Sequence, residues 1–401
     1  MRDLSDRVRA LMLENRRTHG EYQHTVPSPS SYPYQWFWDS CFHAIILSHI
    51  DLPAAKAELR SLVSHQYENG MIAHIRYWER HDILAFDWGP ERTSSLIQPP
   101  ILAQTVWRIF EREGDLDFIH ELYPRLVWYY DFLRSARDLS GTGLLGIVNP
   151  DESGEDNSPR FDGALDLPPR HSVEEHARRR FALSSVHREC ELDADCTSAH
   201  FWVEDVPFNS YLVWNLRALG DLADALLLPE AAATHRQHAE QVAAAMREHL
   251  LHDGIFWSRA GRAGERIEVM TWSRFAPLVA LLYSPEEART LIEHHLLDQE
   301  RFWLPCGVPT VAKTDPAYDP DEPGWGDAWQ HPHWRGPTWI AVHWFLAQGL
   351  RSYGYQDLAL ELREKSVRLI EEHGFREYYH PETGRGMGAR DFTWGGLVLD
   401  I

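Results

Sequence analysis

Wherever a periodic signal can be read in this chain, apolar residues recur at intervals of three and four, and alternating apolar and polar runs are short and few. That pattern confines the fold to the all-α class. The first helix is expected to start at Ser5 or Asp6 as N-cap and to stop at Gly20, with Val8, Leu11 and Met12 on one face. A second covers residues 42–49. A third follows Asp51, with Pro53 in its first turn, Leu59, Leu62 and Val63 inward and Gly70 just past its end. Pro99 and Pro100 open a fourth that runs to Gly114, and further helical stretches are 117–137, 208–227, 229–250, 272–283, 285–297, 337–352 and 355–373.

About eleven helices at a spacing of roughly 35 residues, with no Pro/Gly/Ser-rich linker between halves, indicate one domain over residues 1–401. Short turns alternate with long aromatic loops. This suggests helical hairpins arranged in a ring, with the long loops gathered at one end. Residues 140–206 carry little periodicity and are interrupted by Pro150, Pro159, Pro168 and Pro169, so a functional loop is expected there, with a lid at about 160–206. Short apolar pieces at 255–257 and 267–270 suggest a small hairpin.

The charge balance narrows the partners. Lys plus Arg number 39 against 60 for Asp plus Glu, a net charge of −21, and no basic run offsets it, so nucleic acid and anionic membrane surfaces are not expected partners. No segment approaches the roughly 20 consecutive apolar residues of a membrane span, and the N-terminus lacks a signal-peptide core. Cys41, Cys190, Cys196 and Cys306 show neither CxxC pairing nor the density of a disulfide scaffold, which agrees with a cytoplasmic location. Aromatics are abundant instead, with 17 Trp, 15 Tyr and 16 Phe, and many stand in loop-like stretches beside Asp, Arg, His and Gln.

Four such stretches carry candidate chemistry. In residues 32–43, Tyr32, Tyr34, Trp36 and Trp38 alternate ahead of Asp39, and Asp39 is placed to cap the helix that follows. A hydrophobic staple with an N-cap is one reading. The ring area exceeds what a staple uses, and the other reading is a sugar subsite, in which Trp36 or Trp38 faces a pyranose and Asp39 accepts two hydroxyls. Residues 149–159 place Asp151, Glu152, Glu155 and Asp156 together: in a dry site these carboxyls raise one another's pKa, and in water they form an acidic turn.

Residues 329–339 bring Arg335 beside three tryptophans, and His331 with His333 forms a His-x-His pair too sparse to define a metal site. The fourth stretch sets Glu377 before Tyr378 and Tyr379, with Glu382 in the turn built from Pro381 and Gly384, and continues through Gly386 and Gly388 to Trp394. Two acidic sites far apart in the chain, each embedded in aromatics, suit glycoside hydrolysis, which needs one protonated and one ionised carboxyl flanking the anomeric carbon.

Residues 36–43 (WFWDSCFH), 69–74 (NGMIAH), 98–100 (QPP), 152–159 (ESGEDNSP), 334–339 (WRGPTW) and 377–384 (EYYHPETG) resemble glycoside hydrolase family 63, in particular its short bacterial members that hydrolyse mannosylglycerate or glucosylglycerate. The resemblance runs from about residue 30 to the end. It implies an (α/α)6 barrel and an inverting mechanism with no metal or organic cofactor. Asp156 would be the general acid and Glu377 the base that activates water, with the two carboxyls roughly 6.5–9.5 Å apart. Trp38 and Asp39 would hold the non-reducing sugar, and Tyr32, Trp36, His74, Gln98, Trp334, Arg335 and Trp339 would complete the binding site.

An anionic glycerate calls for a cation. Arg178, Arg179, Arg180 and Arg188 are available, and Arg188 is the expected partner. The sequence departs from the family where His333 replaces a tyrosine and where Trp394 is followed by two glycines. The alternatives are an α-glucosidase acting on oligosaccharides, a non-catalytic sugar-binding protein, and a sugar epimerase working through His331 or His333. The partner expected in each case is a small sugar.

Overall fold

A computed structural model describes residues 2–78, 87–88, 92–168, 171–191, 193–321 and 334–401. Helices dominate it: α1 (Arg2–Asn15), α2 (Phe37–Ser48), α3 (Leu52–Val63), α4 (Leu102–Glu113), α5 (Leu116–Arg137), α6 (Val173–Glu189), α7 (Ala194–Ser198), α8 (Val206–Ala225), α9 (Pro229–His249), α10 (Pro285–Leu291), α11 (Ile340–Ser352) and α12 (Gln356–His373). Strands are short, and two 3-10 helices, Trp272–Ala280 and Thr393–Leu399, behave as full packing elements. Periodicity predicts an all-α fold; the structure is mostly helical, with small antiparallel sheets of two to four short strands.

The packing makes a closed circuit. α2 lies against α4, α4 against α8, α8 against the 3-10 helix Trp272–Ala280, that helix against α11, α11 against the 3-10 helix Thr393–Leu399, and the last against α2. Outside them, α3 backs α2, α5 backs α4 and α8, α9 backs α8, α12 backs α11, and α1 backs the C-terminal 3-10 helix. Sequence dictates which helices go inside. Every residue of α2 is buried, as expected of a helix that is apolar all round, whereas α9 buries only a stripe containing Ala232, His235, Ala239, Val242 and Met246. One hydrophobic cluster runs from Leu4 to Ile401.

The Trp394-Gly-Gly departure has a packing reason. A Cβ at Gly396 would stand 2.9 Å from Ile46 and 3.1 Å from Val8, so glycine lets the C-terminal 3-10 helix seat against α1 and α2. This element is absent from the sequence-based count of eleven, because its glycines and its seven-residue length hide it.

Several boundaries differ from expectation. α1 ends at Asn15, and residues 16–25 turn back as an antiparallel hairpin pairing Arg16 with Thr25. α2 begins at Phe37, so Asp39 sits in its first turn and does not cap it; the N-cap position is Trp36, which makes no side-chain cap bond. α4 begins at Leu102, leaving Pro99 and Pro100 outside. The 140–206 stretch is largely structured: it contains 3-10 turns at Pro150–Ser153 and Pro159–Phe161 as well as α6 and α7. Ser172 caps α6 by accepting from the Glu175 amide, with Glu174 and Glu175 in the first turn, a legible start signal in a helix whose low apolar content masked it.

The expected hairpin of 255–257 with 267–270 is replaced by two others. Ile255–Phe256 pairs with Leu251–His252, and Arg259–Ala260 pairs with Glu265–Arg266 and with Val203–Glu204. The cysteine expectation is also corrected, since Cys190 and Cys196 form a disulfide, with Cα atoms 5.7 Å apart, that ties the end of α6 to α7. Cys41 and Cys306 are free thiols. Among the described residues no helix is long and apolar enough to cross a membrane.

Candidate active site

The segments leading into the inner helices converge on one cavity enclosing about 690 Å³ of empty space, including its mouth. Trp36, Trp38 and Asp39 reach it from the start of α2, and Gln98 from the stretch before α4. Asp151 and Asp156 come from the loop after α5, Trp334 and Trp339 from the approach to α11, and Glu377 from the strand Arg376–Tyr379. Phe392 and Trp394 close the wall at the C-terminal 3-10 helix.

Its lining is chiefly aromatic. Trp334 and Trp339 stack with centroids 4.1 Å apart and planes 3° from parallel, while Trp38 meets Trp394 edge-on at 5.0 Å. Each ring is thereby fixed by its neighbour. Flat indole faces beside carboxylates are the surface that a pyranose ring with its C–H face and hydroxyls would occupy.

Glu377 is held at both oxygens. Tyr32 Oη donates to Oε1 at 2.7 Å and the Ala389 amide donates to Oε2 at 2.7 Å. Burial and the neighbouring Glu377 carboxylate push the Tyr32 phenol well above its ordinary range, so it remains a donor. Gly388, at φ +63°, brings the backbone close enough for the amide that follows it to bind; a Cβ there would stand 2.5 Å from Oε2.

Asp39 accepts a 2.7 Å hydrogen bond from Trp394 Nε1. Burial pushes its carboxyl up to about 7, against the opposing pull of His43 and of that indole N–H. Gln98 accepts from the Trp38 amide at 3.0 Å, locking the start of α2. His74 is paired through Nδ1 with Ser94 Oγ and is brought down to about 3 by burial and by Arg180, which makes it a neutral imidazole.

The four carboxyls at 151–156 do not share one dry site, contrary to one of the two sequence readings, because they are parcelled out among three arginines. Arg137 holds the fully buried Glu152 through two bonds of 2.7 and 2.8 Å, and Arg160 holds Glu155 at 2.6 Å while also binding Asp205 at 3.1 Å. These two pairs are scaffold. Only Asp151 and Asp156 face the cavity, and both are held by Arg180, Asp151 through Nε at 2.9 Å and Nη2 at 3.0 Å, and Asp156 through Nη1 at 2.5 Å. Desolvation, with the adjacent Asp156 charge, raises the Asp151 carboxyl, and Arg180 offsets part of that rise.

Ten of the twelve expected site residues line this cavity: Tyr32, Trp36, Trp38, Asp39, His74, Gln98, Asp156, Trp334, Trp339 and Glu377. Arg335 does not, because its guanidinium is turned away to Asp162. Arg188 does not either; it is exposed near the end of α6, and Arg180 lies on the cavity side of that helix. The buried positions His176, Leu183, Ser184 and His187 recur at helical spacing with Arg180, a signal that separates it from Arg188. Pro27, Asp151, Gly154, Phe392 and Trp394 complete the lining. His331 and His333, with the metal and epimerase readings that depend on them, lie outside the described residues. Among the described residues no group of three His, Cys, Asp or Glu side chains could hold a metal ion.

Residues 32–395 match the mannosylglycerate hydrolase MGH1-like glycoside hydrolase domain. The chain is 34% identical to the mannosylglycerate hydrolase of Thermus thermophilus over 98% of its own length and 99% of that protein's. It is 27% identical to the glucosylglycerate hydrolase of Mycolicibacterium hassiacum over 94% and 93% of the two chains. The crystal structure of a family 63 mannosylglycerate hydrolase from T. thermophilus, in complex with Tris and D-glycerate, superposes with a TM-score of 0.85 at 32% identity, covering 99% of this chain and 100% of that one. The chain therefore belongs to the mannosylglycerate hydrolase MGH1-like glycoside hydrolases of family 63.

Proposed function

We propose that this glycoside hydrolase cleaves a 2-O-α-glycosylglycerate, with mannose or glucose as the sugar, and inverts the anomeric configuration. The observation that carries the proposal is the joint lining of one aromatic cavity by Asp156, Glu377 and Arg180. Asp156 and Glu377 supply two carboxyls from elements far apart in the chain. Arg180 is the only Arg or Lys among the described residues of the lining, and it gives an aglycone carboxylate a planar partner that a neutral oligosaccharide would leave unused.

The sugar sits on the Trp38 and Trp394 rings with its hydroxyls on Asp39, and the glycerate points to Arg180. Asp156 protonates the glycosidic oxygen. Glu377, oriented by Tyr32 and the Ala389 amide, takes a proton from the attacking water. The closed circuit of six inner elements and their outer partners supports an (α/α)6 barrel forming one catalytic domain over residues 1–401, and the excursion at about 160–206 serves as its lid.

A panel of α-glucosides and α-mannosides, with and without glycerate, scored for free hexose, tests the reading. Release from the glycosylglycerates well above that from matched neutral glycosides is expected. Preferential release from neutral oligosaccharides would replace this assignment with an α-glucosidase.

A further inference from the structure

Arg180 presents a difficulty for its own role. A guanidinium can only donate hydrogen bonds, and Arg180 spends Nε and Nη2 on Asp151 and Nη1 on Asp156 Oδ2. The oxygen it touches on Asp156 therefore carries no proton while that bond lasts, so the proton a general acid needs is confined to Oδ1 until Nη1 lets go. Side-chain exposures of 12% for Arg180, 9% for Asp151 and 22% for Asp156 place this triad at the cavity wall, with Asp156 the member most open to an incoming molecule.

We propose that the aglycone carboxylate switches on the general acid, by drawing Nη1 of Arg180 off Asp156 so that the freed oxygen can take up the proton that cleavage requires. The inference rests on the glycosylglycerate reading above. Asp151 keeps its two-point hold, so Arg180 stays in place as a hinge while one nitrogen changes partner. Asp156 then delivers its proton to the glycosidic oxygen as the bond to the anomeric carbon breaks and its electron pair passes to that oxygen. Water adds to the carbon from the opposite face and gives a proton to Glu377. The products are the hexose and the free hydroxy acid, and the proton lost by Asp156 is matched by the one gained by Glu377.

Among the described residues, the charged and titratable groups facing this triad are Tyr32, Asp39, His74, His176 and Glu377. Tyr32 is pushed up by burial, and His74 and His176 are brought down to about 3 and about 2 by burial and Arg180, so these three hold their charge near neutrality. Asp39 titrates with either substrate and cancels in a comparison between substrates, whereas Asp151, which shares Arg180 with Asp156, belongs to the triad that the comparison reads.

The test measures kcat and KM of the wild-type enzyme across pH for an α-glycosylglycerate and its neutral counterpart, the α-glycosylglycerol. With the switch, the neutral compound has a kcat lower by about tenfold or more, and its alkaline fall-off lies about one pH unit lower. Equal kcat and equal fall-off, with the whole difference in KM, would mean that Arg180 only binds the anion, overturning the switch and leaving the substrate reading intact. No turnover of the glycerate beside turnover of the glycerol would overturn both.

Arg180→Gln gives a second reading. Turnover of the glycerate should fall, and kcat for the glycerol compound should rise as Asp156 is released. A folded R180Q enzyme whose glycerol kcat is unchanged or lower contradicts the proposal. If the lone buried Asp151 prevents folding, the double variant R180Q/D151N removes both charges and is read in the same way.

Discussion

Tyr32 Oη donates a 2.7 Å hydrogen bond to Glu377 Oε1 across 345 residues of chain. This bond and the one from the Ala389 amide fix the carboxylate that the proposed chemistry uses to position water. Tyr32→Phe keeps the ring contacts with Trp36 and Phe392 and removes only the donor. It should lower kcat about tenfold and leave KM within about twofold, as steady-state kinetics would show. A change confined to KM would place Tyr32 in sugar binding instead.

Gly388 controls the same carboxylate from the backbone side. Gly388→Ala puts a methyl 2.5 Å from Glu377 Oε2 at φ +63°, which must shift the glutamate. A displacement of this kind costs about a hundredfold in kcat. Circular dichroism should show the fold retained, and near-normal turnover in a folded G388A protein would refute the positioning role.

Asp39 makes stability depend on pH. Its folded-state carboxyl lies near 7, above the ordinary 3.8, because burial penalises the charge. The folded state therefore retains a proton that the unfolded state has already lost, and stability falls as pH rises from about 4 to about 7, by on the order of 3–4 kcal/mol. Asp39→Asn keeps an oxygen for Trp394 Nε1 and cannot ionise. It should denature at higher urea than wild type at pH 8, match wild type near pH 4, and raise KM about tenfold. Equal midpoints at both pH values would show that the Asp39 charge costs the fold nothing.

Glu152 stands two residues before Gly154 in the same acidic segment and belongs to the scaffold. Glu152→Gln leaves the Arg137 charge uncompensated in a dry site and should cost about 3 kcal/mol in denaturant unfolding. Turnover per folded molecule should stay within about twofold. A large loss of kcat at undiminished stability would move Glu152 into the chemistry.

Much of this was legible in the chain. Spacings of three and four located every element of the packing circuit and its outer partners except one, because burial on one stripe or all round leaves that imprint. The exception, Thr393–Leu399, is short and contains Gly395 and Gly396, so close packing there leaves no apolar periodicity to read. α6 leaves a fainter imprint for a different reason: it buries few apolar side chains, and its signal lies in the Ser172 cap and its acidic first turn.

At the site, the aromatic segments were informative because four large rings ahead of a helix exceed local needs. What stayed hidden was the pairing of charges. Nothing in the run from Asp151 to Asp156 tells which carboxyl meets Arg137, Arg160 or Arg180, since those partners are set by how distant segments fold together. Arg180 and not Arg188 reaches the cavity for that reason, and Arg335 pairs with Asp162 for the same one.

The central claim is that Asp156 and Glu377 work from opposite sides of one anomeric carbon. Proton NMR of the hexose released in the first moments of α-glycosylglycerate hydrolysis, before mutarotation, tests it most directly. The account predicts the β-anomer first, and initial appearance of the α-anomer would contradict it.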